Sequence, residues 1–245
     1  MPRISALLRV LRFLPVPLLL LATACTPPSP AGRVEGTARP VADGRTPAIP
    51  LSYQHADWLE REGRDQLEKP EIVIEAMNLK DGDQVADIGA GTGFFSRRLA
   101  RAVAPSGKVY AEEIQPQMLR LLEQRSAQEG IKNIVSVLGT ATDPRLPRHH
   151  FDWVLLVDVY HEFQDPQPML AKIRACLKPG GRVALVEYRA EGDTAKHIPV
   201  AHRMSVEQVL SEWTPAGFEL IETLETLPSQ HLFLFTTRRG ARAQP

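Results

Sequence analysis

Val85-Ala86-Asp87-Ile88-Gly89-Ala90-Gly91-Thr92-Gly93 is the stretch that decides the fold: a short apolar strand that ends in an acid and runs into glycines at every second position. Glycine carries no Cβ, so the backbone here turns tightly and lets a ligand approach it closely. A helix starting at Phe94 aims its unpaired N–H groups at the same spot. The spacing is informative in its own right. A dinucleotide fingerprint reads G-x-G-x-x-G, and Phe94 stands where its third glycine belongs.

Four further blocks follow in order. Lys108-Val109-Tyr110-Ala111-Glu112-Glu113-Ile114 reads as a second strand ending in carboxylates, which suit a pair of ribose hydroxyls. Val135-Ser136-Val137-Leu138-Gly139-Thr140-Ala141 reads as a third strand with a turn at its end. Phe151-Asp152-Trp153-Val154-Leu155-Leu156-Val157 is a continuous apolar run of the kind buried on both faces of a parallel sheet. Its exit carries Asp158, Tyr160, His161 and Glu162, at the carboxyl end of a strand, where doubly wound sheets bind ligands. Leu177-Lys178-Pro179-Gly180-Gly181 supplies a turn into a fifth strand, Arg182 to Glu187.

This ordered set resembles the class I S-adenosylmethionine-dependent methyltransferases. The resemblance implies S-adenosylmethionine as cofactor, with Asp87, Gly89, Ala90, Gly91 and Gly93 at its amino-acid end. It further implies Glu113 on the ribose, Ile114 against the adenine, and Asp158 beside the reactive methyl. Glu113 is preferred to Glu112, which sits one residue inside the strand. Many members place an acid directly after the glycine of the third strand to bind the adenine amino group. Here Thr140 stands in that place and the next acid is Asp143, so backbone groups of Thr140 and Ala141 are the expected substitutes. His161, with an ordinary pKa of about 6.5, is the expected general base, and Glu162 or Tyr160 would orient it.

The pattern around these blocks predicts a single α/β domain: a Rossmann-like three-layer sandwich on a mostly parallel, seven-stranded sheet with an antiparallel last strand. Pro70 opens a helix bearing Ile72, Val73, Ala76 and Met77; Phe95, Leu99 and Val103 line the next. Met118, Leu119 and Leu122 follow Pro116, and Met169, Leu170, Ile173 and Leu177 repeat at helical spacing. Ser205 to Gln208 forms a capping box for a last helix that Gly217 stops. The runs Phe218 to Thr223 and Leu232 to Thr237 are joined by a loop short enough only for an antiparallel pair.

The N-terminus has another character. Arg3, Arg9 and Arg12 precede an apolar run from Phe13 to Ala24, too short to span a bilayer, that reads as a signal peptide. Leu21-Ala22-Thr23-Ala24-Cys25 resembles a bacterial lipobox, which implies cleavage, lipidation of Cys25 and a membrane-anchored lipoprotein facing the periplasm. A cytoplasmic protein is the alternative if the start codon is misplaced. Residues 25–50, rich in Pro, Ala, Gly and Arg, are expected to be a flexible tether, and residues 51–240 the methyltransferase domain.

The formal charge of zero falls to −3 once the three arginines of residues 1–24 are removed, a balance that disfavours nucleic acid as partner. With only Cys25 and Cys176, disulfides and cysteine metal sites are excluded. His149 and His150 read as a solvated turn, so no metal site is expected. Tyr53, His55 and Trp58 are candidates to cover an acceptor pocket, with His197 and His202 as weaker ones. The expected activity is methyl transfer to a small-molecule or lipid-like, quinone-like acceptor. The alternatives are a non-catalytic S-adenosylmethionine-binding lipoprotein and, less favoured by the glycine spacing, a nicotinamide-dependent oxidoreductase.

Overall fold

The computed structural model describes residues 45–238. The apolar run, Cys25 and most of the expected tether lie outside them. A 3-10 segment, Tyr53–Glu60, leads into α1 (Arg64–Glu68), α2 (Pro70–Met77), β1 (Gln84–Ile88), α3 (Phe94–Ala102), β2 (Lys108–Glu113), α4 (Pro116–Gln128), β3 (Ile134–Leu138) and β4 (Phe151–Val157). There follow α5 (Pro166–Cys176), β5 (Leu177–Arg189), β6 (Arg203–Met204), α6 (Val206–Trp213), β7 (Phe218–Leu224) and β8 (Gln230–Thr237).

Proline stands at the first position of α2, α4 and α5, where its fixed φ suits the helix and its missing N–H costs nothing. The Ser205 side chain caps α6 by accepting from the Gln208 amide at 3.0 Å.

The strands run in the order β3-β2-β1-β4-β5-β8-β7. These are the seven expected strands; the two-residue β6 beside β5 makes an eighth. β8 is antiparallel to both β5 and β7, and the other pairings are parallel. The register sets Ile88 opposite Glu112 and Leu156, and Val157 opposite Val186, so four strand tips end together at one edge.

Both faces of the sheet are covered. Along β4, Val154 and Leu156 join the core with Met169, Leu170 and Ile173 of α5 and Trp213 of α6. Trp153 and Leu155 join the opposite core with Val73 and Met77 of α2 and Phe95 and Leu99 of α3. That is why β4 reads as an unbroken apolar run from Trp153 to Val157. Among the described residues no helix is long and apolar enough to cross a membrane.

Three boundaries differ from expectation. Leu177 leaves the helical stripe: it is extended (φ −71, ψ 141) and pairs with Phe151, so its burial comes from the sheet. β3 stops at Leu138, because Thr140 and Asp143 close a tight bridged turn directly after Gly139. Residues 45–50, assigned to the tether, pack on the domain: the Ala48 amide donates to the His161 carbonyl at 3.0 Å, and Arg45 pairs with the buried Glu212 at 2.9 Å.

Candidate active site

The glycine loop leaves the tip of β1 with Gly89, Gly91 and Gly93 all at positive φ. A side chain at Gly89 would overlap Val159, and one at Gly91 would come within 2.8 Å of Leu59. Asp87, at the root of the loop, accepts from the Ser96 hydroxyl at 2.5 Å and so braces the loop against α3. Burial pushes its carboxyl up to about 7.

Both carboxylates at the tip of β2 turn toward the loop. Glu113 accepts from the Gly91 amide at 3.1 Å and from the Gln115 amide at 2.8 Å. Glu112 accepts from the Gly89 amide at 3.4 Å, and its other oxygen lies against Gly139, where any Cβ would collide with it. Burial raises both carboxyls above the ordinary range, and for Glu112 the neighbouring Glu113 adds to the shift. Ile114, next along the chain, is 41% exposed, an apolar surface left open beside these acids.

Thr140 and Ala141 sit in the turn after β3. The Thr140 amide donates to the Asp143 carbonyl at 2.9 Å, and the Thr140 hydroxyl accepts from the Asp143 amide at 3.0 Å. Of the backbone groups expected to face adenine, the Thr140 N–H is therefore taken within the turn. Asp143 is itself drawn off to Lys172 at 2.9 Å.

The exit of β4 separates the four groups expected to act together. Asp158 adopts φ 50 and accepts from the Gln230 side chain at 2.7 Å. Burial, with Glu68 and Glu187 nearby, raises its carboxyl well above the ordinary range. Tyr160 is fully buried and its hydroxyl donates to Glu212 of α6, so it belongs to the core and does not orient His161.

Glu187 of β5 is what orients His161: its carboxylate lies 2.6 Å from Nδ1, and the Nε2 of His161 meets Nδ1 of His202 at 3.0 Å. Burial lowers His161, but Glu187, with Glu162 and Asp158 adding to its effect, pushes the imidazole up to about 9. Burial and the adjacent His161 pull His202 down to about 4. Glu162 is also near: one ligand atom each from His161, Glu162 and His202 lies within 4.8 Å of the others. Sequence inspection missed Glu187 and the closeness of His202, because β5 and the segment before β6 reach this corner only through the sheet.

A roof of residues 51–60 spans the strand tips. The Gln115 side chain donates to the Leu51 carbonyl at 2.8 Å and accepts from the Tyr53 amide at 3.0 Å. Glu60 takes the Thr92 hydroxyl at 2.6 Å and Arg97 at 2.9 Å. Tyr53, His55 and Trp58 lie on this roof, with the Arg61 guanidinium 3.8 Å above the Trp58 ring. His197 is exposed, and His150 packs edge-on against Tyr110 and Phe151 rather than in solvent.

Two buried carboxylate oxygens, Glu112 Oε1 and Asp158 Oδ1, have no hydrogen-bond partner among the described residues. Unmatched buried acceptors are costly, and strand tips that carry two of them fit a ligand rich in donors and positive charge. A nucleoside with hydroxyls, an ammonium and a sulfonium has that character, and the open face of Ile114 suits its base.

The strand order, the reversed last strand and the glycine loop followed by an acid at the next strand tip define the class: a Rossmann-like methyltransferase domain, whose class uses S-adenosylmethionine as methyl donor. The chain belongs to the family described as "Methyltransferase domain", whose model matches residues 79–227. It is similar to a demethylmenaquinone methyltransferase of a Geobacillus species, 29% identical over 55% of this chain and 58% of that one. It is also similar to a ubiquinone/menaquinone biosynthesis C-methyltransferase of Burkholderia vietnamiensis, 34% identical over 48% of each chain. The chain thus spans about half the length of the relatives it matches. In fold it is similar to a SAM-dependent methyltransferase of Aquifex aeolicus, with a TM-score of 0.71 at 24% identity over 76% of this chain and 98% of that one. The [4+2]-cyclase SpnF shares the fold at a TM-score of 0.59 and 18% identity, over 70% of this chain and 80% of that one.

Proposed function

We propose that the chain transfers a methyl group from S-adenosylmethionine to a small acceptor of quinone-like or lipid-like character. The observation that carries this is the set of groups gathered at the strand tips: glycine-loop amides tied to Glu112 and Glu113, two buried carboxylate oxygens without partners, and the exposed Ile114 beside them. The names of the partial relatives support the quinone-like acceptor.

When bound, the cofactor supplies a methyl already activated by its sulfonium. Glu113 would hold the ribose hydroxyls, Ile114 the adenine face, and Asp158 with the Gly89-Ala90-Gly91-Thr92-Gly93 loop the amino-acid end. Asp87 acts through Ser96 and the loop. Ala141 stays with the adenine side, while Thr140 shapes its turn. The protein's own share is to position the acceptor in line and keep water out, and the roof of residues 51–60 is placed for that. His161 is held between Glu187 and His202, so the imidazole pair, with Glu162 beside it, is what faces a proton or charge released by the acceptor.

We further propose, from residues 1–25 alone, a cleaved signal with lipidation at Cys25 and an exported, membrane-anchored protein.

Calorimetry of the purified protein with S-adenosylmethionine tests the proposal. One equivalent should bind, and Glu113→Ala should weaken it at least tenfold. Transfer of a labelled methyl into a quinone fraction should follow. Binding with no transfer to any extract component would leave a non-catalytic binding protein, and binding of a nicotinamide dinucleotide instead would overturn the assignment.

A further inference from the structure

Forty-one residues apart in sequence, His161 and His202 bring Nε2 and Nδ1 to 3.0 Å, and Glu162 sets a carboxylate oxygen within the same 4.8 Å cluster. We infer that this corner is a binding site for one divalent transition-metal ion, zinc-like in its preference for nitrogen with oxygen, ligated by His161 Nε2, His202 Nδ1 and the Glu162 carboxylate. Two imidazoles and one carboxylate form a donor set that suits such an ion and leaves coordination positions open for an exogenous oxygen.

Three features support a built site. First, Glu187 accepts from Nδ1 of His161 at 2.6 Å and is fully buried. A carboxylate on the far ring nitrogen fixes the ring's orientation and makes Nε2 a better donor once a metal displaces its proton, as around ligating histidines generally. Second, the nitrogen separation is right. With each nitrogen about 2.05 Å from a metal, 3.0 Å between them subtends about 94° at the ion, and opening to tetrahedral needs about 0.3 Å more. Third, no lysine or arginine among the described residues pairs with Glu162, so no protein cation competes for the place a metal ion would take beside the two imidazoles.

The ligands come from the turn after β4 and the segment just before β6, two places that pairing of β4 and β6 with β5 holds together. The site itself requires neither cofactor nor acceptor. Only its role, holding an acceptor oxygen beside the methyl donor, rests on the methyl-transfer proposal.

The test uses the full chain, stripped with a chelator and titrated with Zn2+ against a chromogenic chelator, and with Co2+ followed by its visible ligand-field absorption. One equivalent should bind, with Co2+ bands of low coordination number. His202→Ala should weaken binding at least 100-fold, and Glu187→Gln, which touches no metal, by 10–100-fold. Circular dichroism checks that the variants fold; if His202→Ala does not, the near-isosteric Glu162→Gln takes its place and should lose at least tenfold. Absence of stoichiometric binding by the folded parent, or parent-like affinity in the variants, overturns the site. S-Adenosylmethionine calorimetry on the same stripped sample reports the methyl-transfer proposal separately, so each fails by its own readout.

Discussion

Replacing Asp87 by asparagine should stabilise the protein, and the gain should depend on pH in a way the geometry fixes. Asp87 is 3% exposed, accepts from Ser96 at 2.5 Å, and has its carboxyl pushed by burial from an ordinary 3.8 to about 7. A carboxyl raised in the folded state keeps its proton where the unfolded chain has lost it, so its contribution is fully present below pH 3.8 and is lost as pH rises through 7. At 1.36 kcal/mol for each pH unit between the two values, the whole loss is about 4 kcal/mol, of which about 2.5 kcal/mol falls between pH 5 and pH 8. Asparagine keeps an acceptor for Ser96 and carries no charge to desolvate. Urea unfolding of parent and Asp87→Asn, without cofactor, at pH 5, 6.5 and 8 measures this. With a slope of about 2 kcal/mol per molar urea, the advantage of the variant should widen by about 1 M between the end points. An advantage that stays constant with pH, or shrinks as pH rises, would refute the assignment of a protonated Asp87 beneath the glycine loop.

Arg45→Ala removes a guanidinium that pairs with the buried Glu212 at 2.9 Å and donates to the His161 carbonyl at 3.0 Å, and should cost about 3 kcal/mol in thermal or urea unfolding. A loss near zero would return residues 45–50 to the tether. Gly89→Ala puts a Cβ into Val159 at φ 69 and should cost about 2–3 kcal/mol. Adding Val159→Ala should recover the overlap but not the backbone strain, and strictly additive losses in the double-mutant cycle would show that Val159 is not the obstacle.

Much of this architecture was legible in the sequence because it rests on local signals. Proline at the first turns of α2, α4 and α5, the Ser205 cap and the apolar periods of the helices are each written within one segment. The glycine spacing and the acids at the tip of β2 were equally plain. Contacts made between segments were not. Nothing near Tyr160 announces that its hydroxyl turns inward to Glu212, 52 residues on, nor does anything near His161 announce Glu187, 26 residues on. Composition also misled: Pro47 and Ala48 look like tether, but both are buried against the domain, and the Ala48 amide is held by the His161 carbonyl. Thr140 likewise spends its amide N–H inside its own turn, a contact that nothing in the sequence around it announces.

Because β8 runs against its neighbours, its first residues, not its last, arrive at the strand tips, and Gln230 reaches Asp158 from there. The strand tips therefore draw on residues from near the start of the folded chain to almost its end. During synthesis β7 leaves the ribosome before β8, the strand that joins it to β5, so β7 has no partner in the sheet until β8 is made. A nascent chain halted before residue 230 would carry the glycine loop and both β2 acids, yet Asp158 would lack its clamp. Ligand capture should thus appear late and abruptly along the length of the growing polypeptide.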